Sequence, residues 1–169
     1  MRTVLFILLV VTFSSTNAFS QDNREWPEFR GRGTFSTYVR DQLAADSGLG
    51  MIACVRLVTA LKFAVDENGF VTDIQVSENV TGYIGQRIKL IARSSDGTWD
   101  TAMFIGKAVK SKPMIVLIYF SLDGPFTKGT FHELFKLNEN GEYMNTENIK
   151  MFHPVTFLST HGLTDLTDN

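Results

Sequence analysis

The clearest period-2 pattern in the chain runs through residues 61–76. Leu61, Phe63 and Val65 alternate with Lys62 and Ala64, then Asp66-Glu-Asn-Gly69 interrupts. Beyond it Phe70, Thr72, Ile74 and Val76 alternate with Asp73, Gln75 and Ser77. Two β-rich runs around an Asn-Gly pair predict a β-hairpin, because both residues accept the positive φ of a tight turn. One face of that hairpin is apolar and needs a cover. Phe35, Tyr38, Val39 and Leu43 form a helical stripe, so a helix is expected over residues 35–46 with Thr34 as N-cap. Ser47-Gly-Leu-Gly50 ends it. A strand is expected from about Ile52 through Val65. Ile84, Ile88, Ile91 and Ala92 predict a second helix over residues 79–95, its first turn weakened by Gly82 and Gly85. Met114 to Phe120 is apolar at every position and reads as a strand covered on both faces or used for contact on one.

The order helix, strand, strand, helix, strand implies an α+β domain over residues 34–125. Its two layers are a three-stranded antiparallel sheet and two helices on one face. Residues 21–33 read as a loosely ordered lead-in, with Trp26 and Phe29 available to tack it down. From residue 126 to 169 the composition shifts towards Lys, Asn, His and Thr, marking a C-terminal extension. Its Phe135-Lys-Leu-Asn-Glu-Asn-Gly141 echoes Phe63-Ala-Val-Asp-Glu-Asn-Gly69 and predicts a second hairpin, by shared turn chemistry rather than duplication. Residues 150–158 read as a short edge strand marked by Pro154. The extension is expected to fold back, across the sheet or as added strands, through Phe131, Leu134, Phe135, Val155 and Phe157.

The 169 residues are 44% hydrophobic, enough for one domain with its own core. Met1-Arg-Thr3 followed by the apolar run Val4 to Phe13 has the layout of a secretory signal peptide. Cleavage is expected after Ala18 or Ser20, so residues 1–20 are assigned as leader and the protein as exported. An uncleaved anchor is disfavoured because the apolar run is short for a bilayer. The net charge is −2, so nucleic-acid binding lacks an electrostatic basis. Cys54 stands alone, which excludes an intramolecular disulfide.

The search for chemistry finds no P-loop, GxSxG or CxxC. His132-Glu133 is followed by Lys136 where a zinc-protease helix needs its second histidine, and His132, His153 and His161 lack a ligand spacing. Asp66, Asn68 and Asp73 fall short of a calcium loop, and the turn accounts for them. No enzyme activity, metal or cofactor is expected.

The hairpin and the segments downstream of it resemble the C-terminal domain of TonB, the periplasmic energy transducer. That family's pattern appears as Val65-Asp66-Glu-Asn-Gly69-Phe-Val71-Thr-Asp73-Ile74-Gln-Val76. It continues with Trp99, Thr101-Ala102, Gly106-Lys-Ala-Val109 and the final strand Met114 to Phe120. The match spans roughly residues 26–122. Thr101 and Ala108 replace the family's turn prolines, its Tyr-Pro pair before the first strand is absent, and so is a proline-rich periplasm-spanning segment. The resemblance implies that Asp66, Gly69, Trp99 and Gly106 are structural. It also implies that Met114, Ile115, Val116, Leu117, Ile118, Tyr119 and Phe120 form an exposed edge. There an extended peptide of an outer-membrane TonB-dependent transporter is captured by β-augmentation. Two rival readings stand beside it: an exported small-molecule binder or enzyme on the same scaffold, and an envelope module that homodimerises through strand edges.

Overall fold

The computed structural model describes residues 23–46, 57–80, 82–121, 133–138 and 140–158. The leader, Cys54, Phe131, His132 and His161 lie outside them. The strands are β1 (Glu28–Phe29), β2 (Leu57–Val65), β3 (Val71–Val76), β4 (Trp99–Asp100), β5 (Ala102–Phe104), β6 (Lys107–Val109), β7 (Met114–Ser121), β8 (Lys150–Met151) and β9 (Val155–Leu158). The helices are α1 (Phe35–Ala44) and α2 (Gly82–Arg93). The class is α+β, with two helices and several sheets, mixed and antiparallel.

The main sheet has the order β3-β2-β7, with β8 and β9 one after the other along the outer flank of β7. The β3–β2 and β2–β7 pairs are antiparallel, whereas β8 and β9 run parallel to β7. The three-stranded antiparallel sheet expected from sequence is therefore corrected to a five-stranded mixed one. The extra strands come from residues 150–158, too far along the chain for local patterning to reveal their partner.

Asp66 shapes the β2–β3 turn. Its carboxylate accepts the N–H groups of Asn68 and Phe70, both at 2.9 Å. Those bonds hold its pKa below the ordinary value. Gly69 has φ +84°, and a Cβ there would lie 2.9 Å from the Trp99 carbonyl oxygen. Both facts require glycine. Past the turn, Asp73 sits at φ +53° where the β2–β3 register shifts. This bulge flips the expected alternation: Val71 joins Ile74 and Val76 on the core side, and Phe70 is exposed.

α1 begins with the Thr34 hydroxyl accepting the Thr37 N–H at 3.1 Å. It buries Phe35, Val39 and Leu43, while α2 buries Ile84, Ile88, Ile91 and Ala92. Both stripes meet Leu61, Phe63, Val65, Met114, Val116 and Ile118 in one core on one face of the sheet. The opposite face carries a smaller cluster of Ala60, Ile115 and Leu117 under Phe135 and Met144.

The lead-in is docked, not loose. Arg24 exchanges backbone bonds with Met103 at 3.0 and 2.7 Å, and β1 pairs with β4. The Arg24 guanidinium also bonds the Thr101 carbonyl at 2.8 Å. In the extension, Asn138 repeats the role of Asp66: its side chain accepts the N–H groups of Asn140 and Glu142, and Gly141 has φ +81°. Among the described residues a single antiparallel bridge, Lys136–Tyr143, flanks this second turn, after a 3-10 turn at Glu133–Phe135. The expected hairpin shrinks accordingly.

Candidate partner-binding edge

β7 is the strand on which the sequence places the recognition edge. Its residues alternate as a two-sided core strand must. Met114, Val116, Ile118 and Phe120 face the helices; Ile115 and Leu117 face the extension, with Tyr119 packed beside them. β2 pairs with one flank over seven register positions, from Leu57–Phe120 to Phe63–Met114. The other flank is not a free edge. β8 lies opposite Met114 and Ile115, and β9 opposite Ile118 to Ser121. The expected open edge is thus filled by the protein's own chain.

Between β8 and β9 the chain leaves the ladder. Phe152 donates its N–H to the Ile115 carbonyl at 2.8 Å and turns its ring towards the helix face. There it meets Phe35 (centroids 5.5 Å apart), Phe63 (6.2 Å, nearly parallel) and Trp99 (6.2 Å). Lys150 Nζ stands 5.8 Å from the Phe152 centroid. The Ser36 hydroxyl donates to the His153 carbonyl at 2.6 Å, tying α1 to the same segment. His153 and Pro154 are exposed, whereas Val155 is buried in the helix-side core. An open cleft of about 440 Å³ lies between the lead-in, the start of α1 and residues 150–153, walled by Glu28, Phe35, Ser36, Met151, Phe152 and His153.

The four residues assigned structural roles occupy three places. Trp99 is 5% exposed; its indole N–H donates to Ser95 Oγ at 3.0 Å, and its ring packs on Phe29, Phe35 and Phe63. Asp66 and Gly69 form the β2–β3 turn. Gly106 (φ +70°) shares the β5–β6 turn with Ile105, itself at φ +51° and exposed beside Phe104. A left-handed isoleucine is an uncommon choice there, where Asn or Gly fits without a steric penalty.

The other end of the sheet is a poor docking edge. β3 is bent by the Asp73 bulge, and Lys110 Nζ bonds the Asp73 carboxylate at 2.6 Å. Among the described residues no group of three His, Cys, Asp or Glu converges as a metal site. No helix among them is long and apolar enough to cross a membrane.

Sequence reasoning missed two features of this region. Phe152 was legible as part of a short strand, but nothing local reveals its aromatic partners. Lys62, on the polar side of the first hairpin, is only 9% exposed and donates to the Asn145 carbonyl at 2.8 Å. No protein-family model, curated protein or solved structure matches this chain significantly.

Proposed function

We propose that this chain is a non-catalytic, exported protein-binding domain of the TonB C-terminal type that captures an extended peptide along the outer flank of β7. The observation that carries the reading is that this flank already holds an extended segment, residues 150–158, through backbone ladder bonds and side-chain seats. A flank that binds one extended chain has the N–H and C=O groups and the apolar seats to bind another. The bulged β3 edge offers no comparable surface. By resemblance the partner is a segment of an outer-membrane TonB-dependent transporter and the compartment is the periplasm.

A photo-crosslinker at Tyr119, the partly exposed residue of β7 itself, used in an envelope extract, tests this. The expected product is a transporter cross-linked through an extended segment. Cross-links confined to folded surfaces, or the absence of any product, overturn it.

A further inference from the structure

We infer that residues 150–158 are a resident pseudo-ligand, and that the partner segment runs parallel to β7 with an aromatic residue two positions before a β-branched one. The inference rests on the capture reading and adds the competitor, the polarity and the pattern.

The resident segment reports what the flank accepts. Both of its pieces run parallel to β7, which is the direction in which this flank pairs with an extended chain in the structure. Two of its side chains enter the helix-side core, the Phe152 ring among Phe35, Phe63 and Trp99, and Val155. The Ser36 bond goes to the His153 backbone and so reads no side chain.

The fit is imperfect in a specific way. Lys150 and Met151 pair with Met114 and Ile115, and pairing resumes with Val155 opposite Ile118. Three resident residues, Phe152, His153 and Pro154, therefore span the two β7 residues Val116 and Leu117. The surplus residue is a bulge, and Pro154 has no N–H to give to a ladder. A segment without the surplus residue keeps register along the whole strand. Continuing from Met151, it places its aromatic residue opposite Val116 and its β-branched residue opposite Ile118, both on the helix face. Such a segment displaces the resident because it pairs without interruption.

The probe is a labelled synthetic peptide with the sequence of residues 149–158 lacking Pro154, alongside a control with Ala in place of its first Phe. Four full-length proteins are compared: the parent, two loosened forms (the first Phe152→Ala), and a locked form. The locked form joins the register partners Tyr119 and Thr156 through Tyr119→Cys and Thr156→Cys in a Cys54→Ser background. Ser36→Ala serves as a second loosened form that leaves the aromatic core intact.

The loosened forms should bind the peptide at least about tenfold more tightly than the parent, because the resident no longer competes as well. The oxidised locked form should not bind, and reduction should restore binding. Equal binding by the oxidised and reduced forms places the peptide elsewhere and overturns the inference while leaving protein capture standing. Equal binding of the Ala control overturns the pattern. Continued hydrogen-exchange protection of β8 and β9 in both loosened forms, with no gain in binding, overturns displacement. Failure of either loosened form to bind after those amides have become exchangeable overturns the capture reading itself.

Discussion

The two faces of the main sheet are covered by different kinds of chain. On one face α1 and α2 supply seven buried apolar side chains, and an aromatic group of Phe29, Phe35, Phe63, Trp99 and Phe152 links lead-in, helix, sheet and extension. On the other face neither α1 nor α2 contributes, and Phe135, at the end of the 3-10 turn, and Met144 lie over Ala60, Ile115 and Leu117. Irregular chain can seal a sheet only if its backbone polar groups are satisfied. Here Ser77 Oγ donates to the Leu134 carbonyl, the Glu78 N–H to the Lys136 carbonyl at 2.8 Å, and Lys62 Nζ to the Asn145 carbonyl at 2.8 Å. Fixed anchors substitute for regular structure.

The helix-side face depends most on its aromatic centre. Trp99→Ala should destabilise the protein by about 3–5 kcal/mol, since it empties a buried site enclosed by rigid rings. Phe135→Ala on the other face should cost about 2–3 kcal/mol, because a thin cover collapses more readily onto the gap. Denaturant titration of both variants measures the difference. Equal losses mean that the second face is packed as tightly as the first. An unchanged midpoint for Trp99→Ala contradicts its burial.

Both expectations draw on positions whose importance was partly visible in the sequence. The first turn, the two helical stripes and the all-apolar β7 were legible because each is a local pattern: turn chemistry, period 3.6 and period 2. The face swap in β3 was not. An alternation of Phe70, Thr72, Ile74 and Val76 looks regular until one residue is inserted, and the only local mark of the bulge is an aspartate able to adopt φ +53°. The filling of the β7 flank was legible only as a pair of alternatives, stacking over the sheet or adding strands to it. The structure does both: Phe135 and Met144 lie over the face, and residues 150–158 run along the flank. Val155, expected among the residues covering the second face, instead joins the helix side. A parallel pairing of segments more than 30 residues apart in sequence depends on where the intervening chain returns, which no window of sequence contains.

The two matching turns differ on a smaller energy scale. Asp66 and Asn138 make the same pair of side-chain bonds, but one turn joins long buried strands and the other a single bridge. Asp66→Ala should cost about 1–2 kcal/mol, and Asn138→Ala less than about 1 kcal/mol, since fewer structured residues depend on it. The Asp66 contribution is also pH-dependent. Its folded pKa is depressed, chiefly by the Phe70 N–H, so the stabilisation is present above the unfolded value of 3.8 and is lost as pH falls through the folded one. Acid titrations of Asp66→Ala and parent should therefore converge. Curves that stay parallel to low pH would show the carboxylate to be unimportant as a charge.

The smallest effect tests how dry the second face is. Lys62 sits beneath the extension, and burial pushes its pKa below 10.5, with Asp73 partly opposing the shift. Proton counting sets the sign. Below the folded pKa the amine is charged in both states, and the folded protein bears the whole cost of burying that charge. Between the folded pKa and 10.5 the folded protein has released the proton while the unfolded chain still holds it, so this group's contribution makes stability rise with pH. Lys62→Met keeps the length and apolar stem but cannot ionise. It also gives up the bond to the Asn145 carbonyl, which lies on an exposed residue and can bond to water instead. The net change at neutral pH should therefore stay within about 1 kcal/mol. The difference in unfolding free energy, parent minus variant, should increase as pH is raised towards 10.5. A difference independent of pH would mean that water reaches the amine, and that the chain over this face covers it far less completely than the helices cover the other.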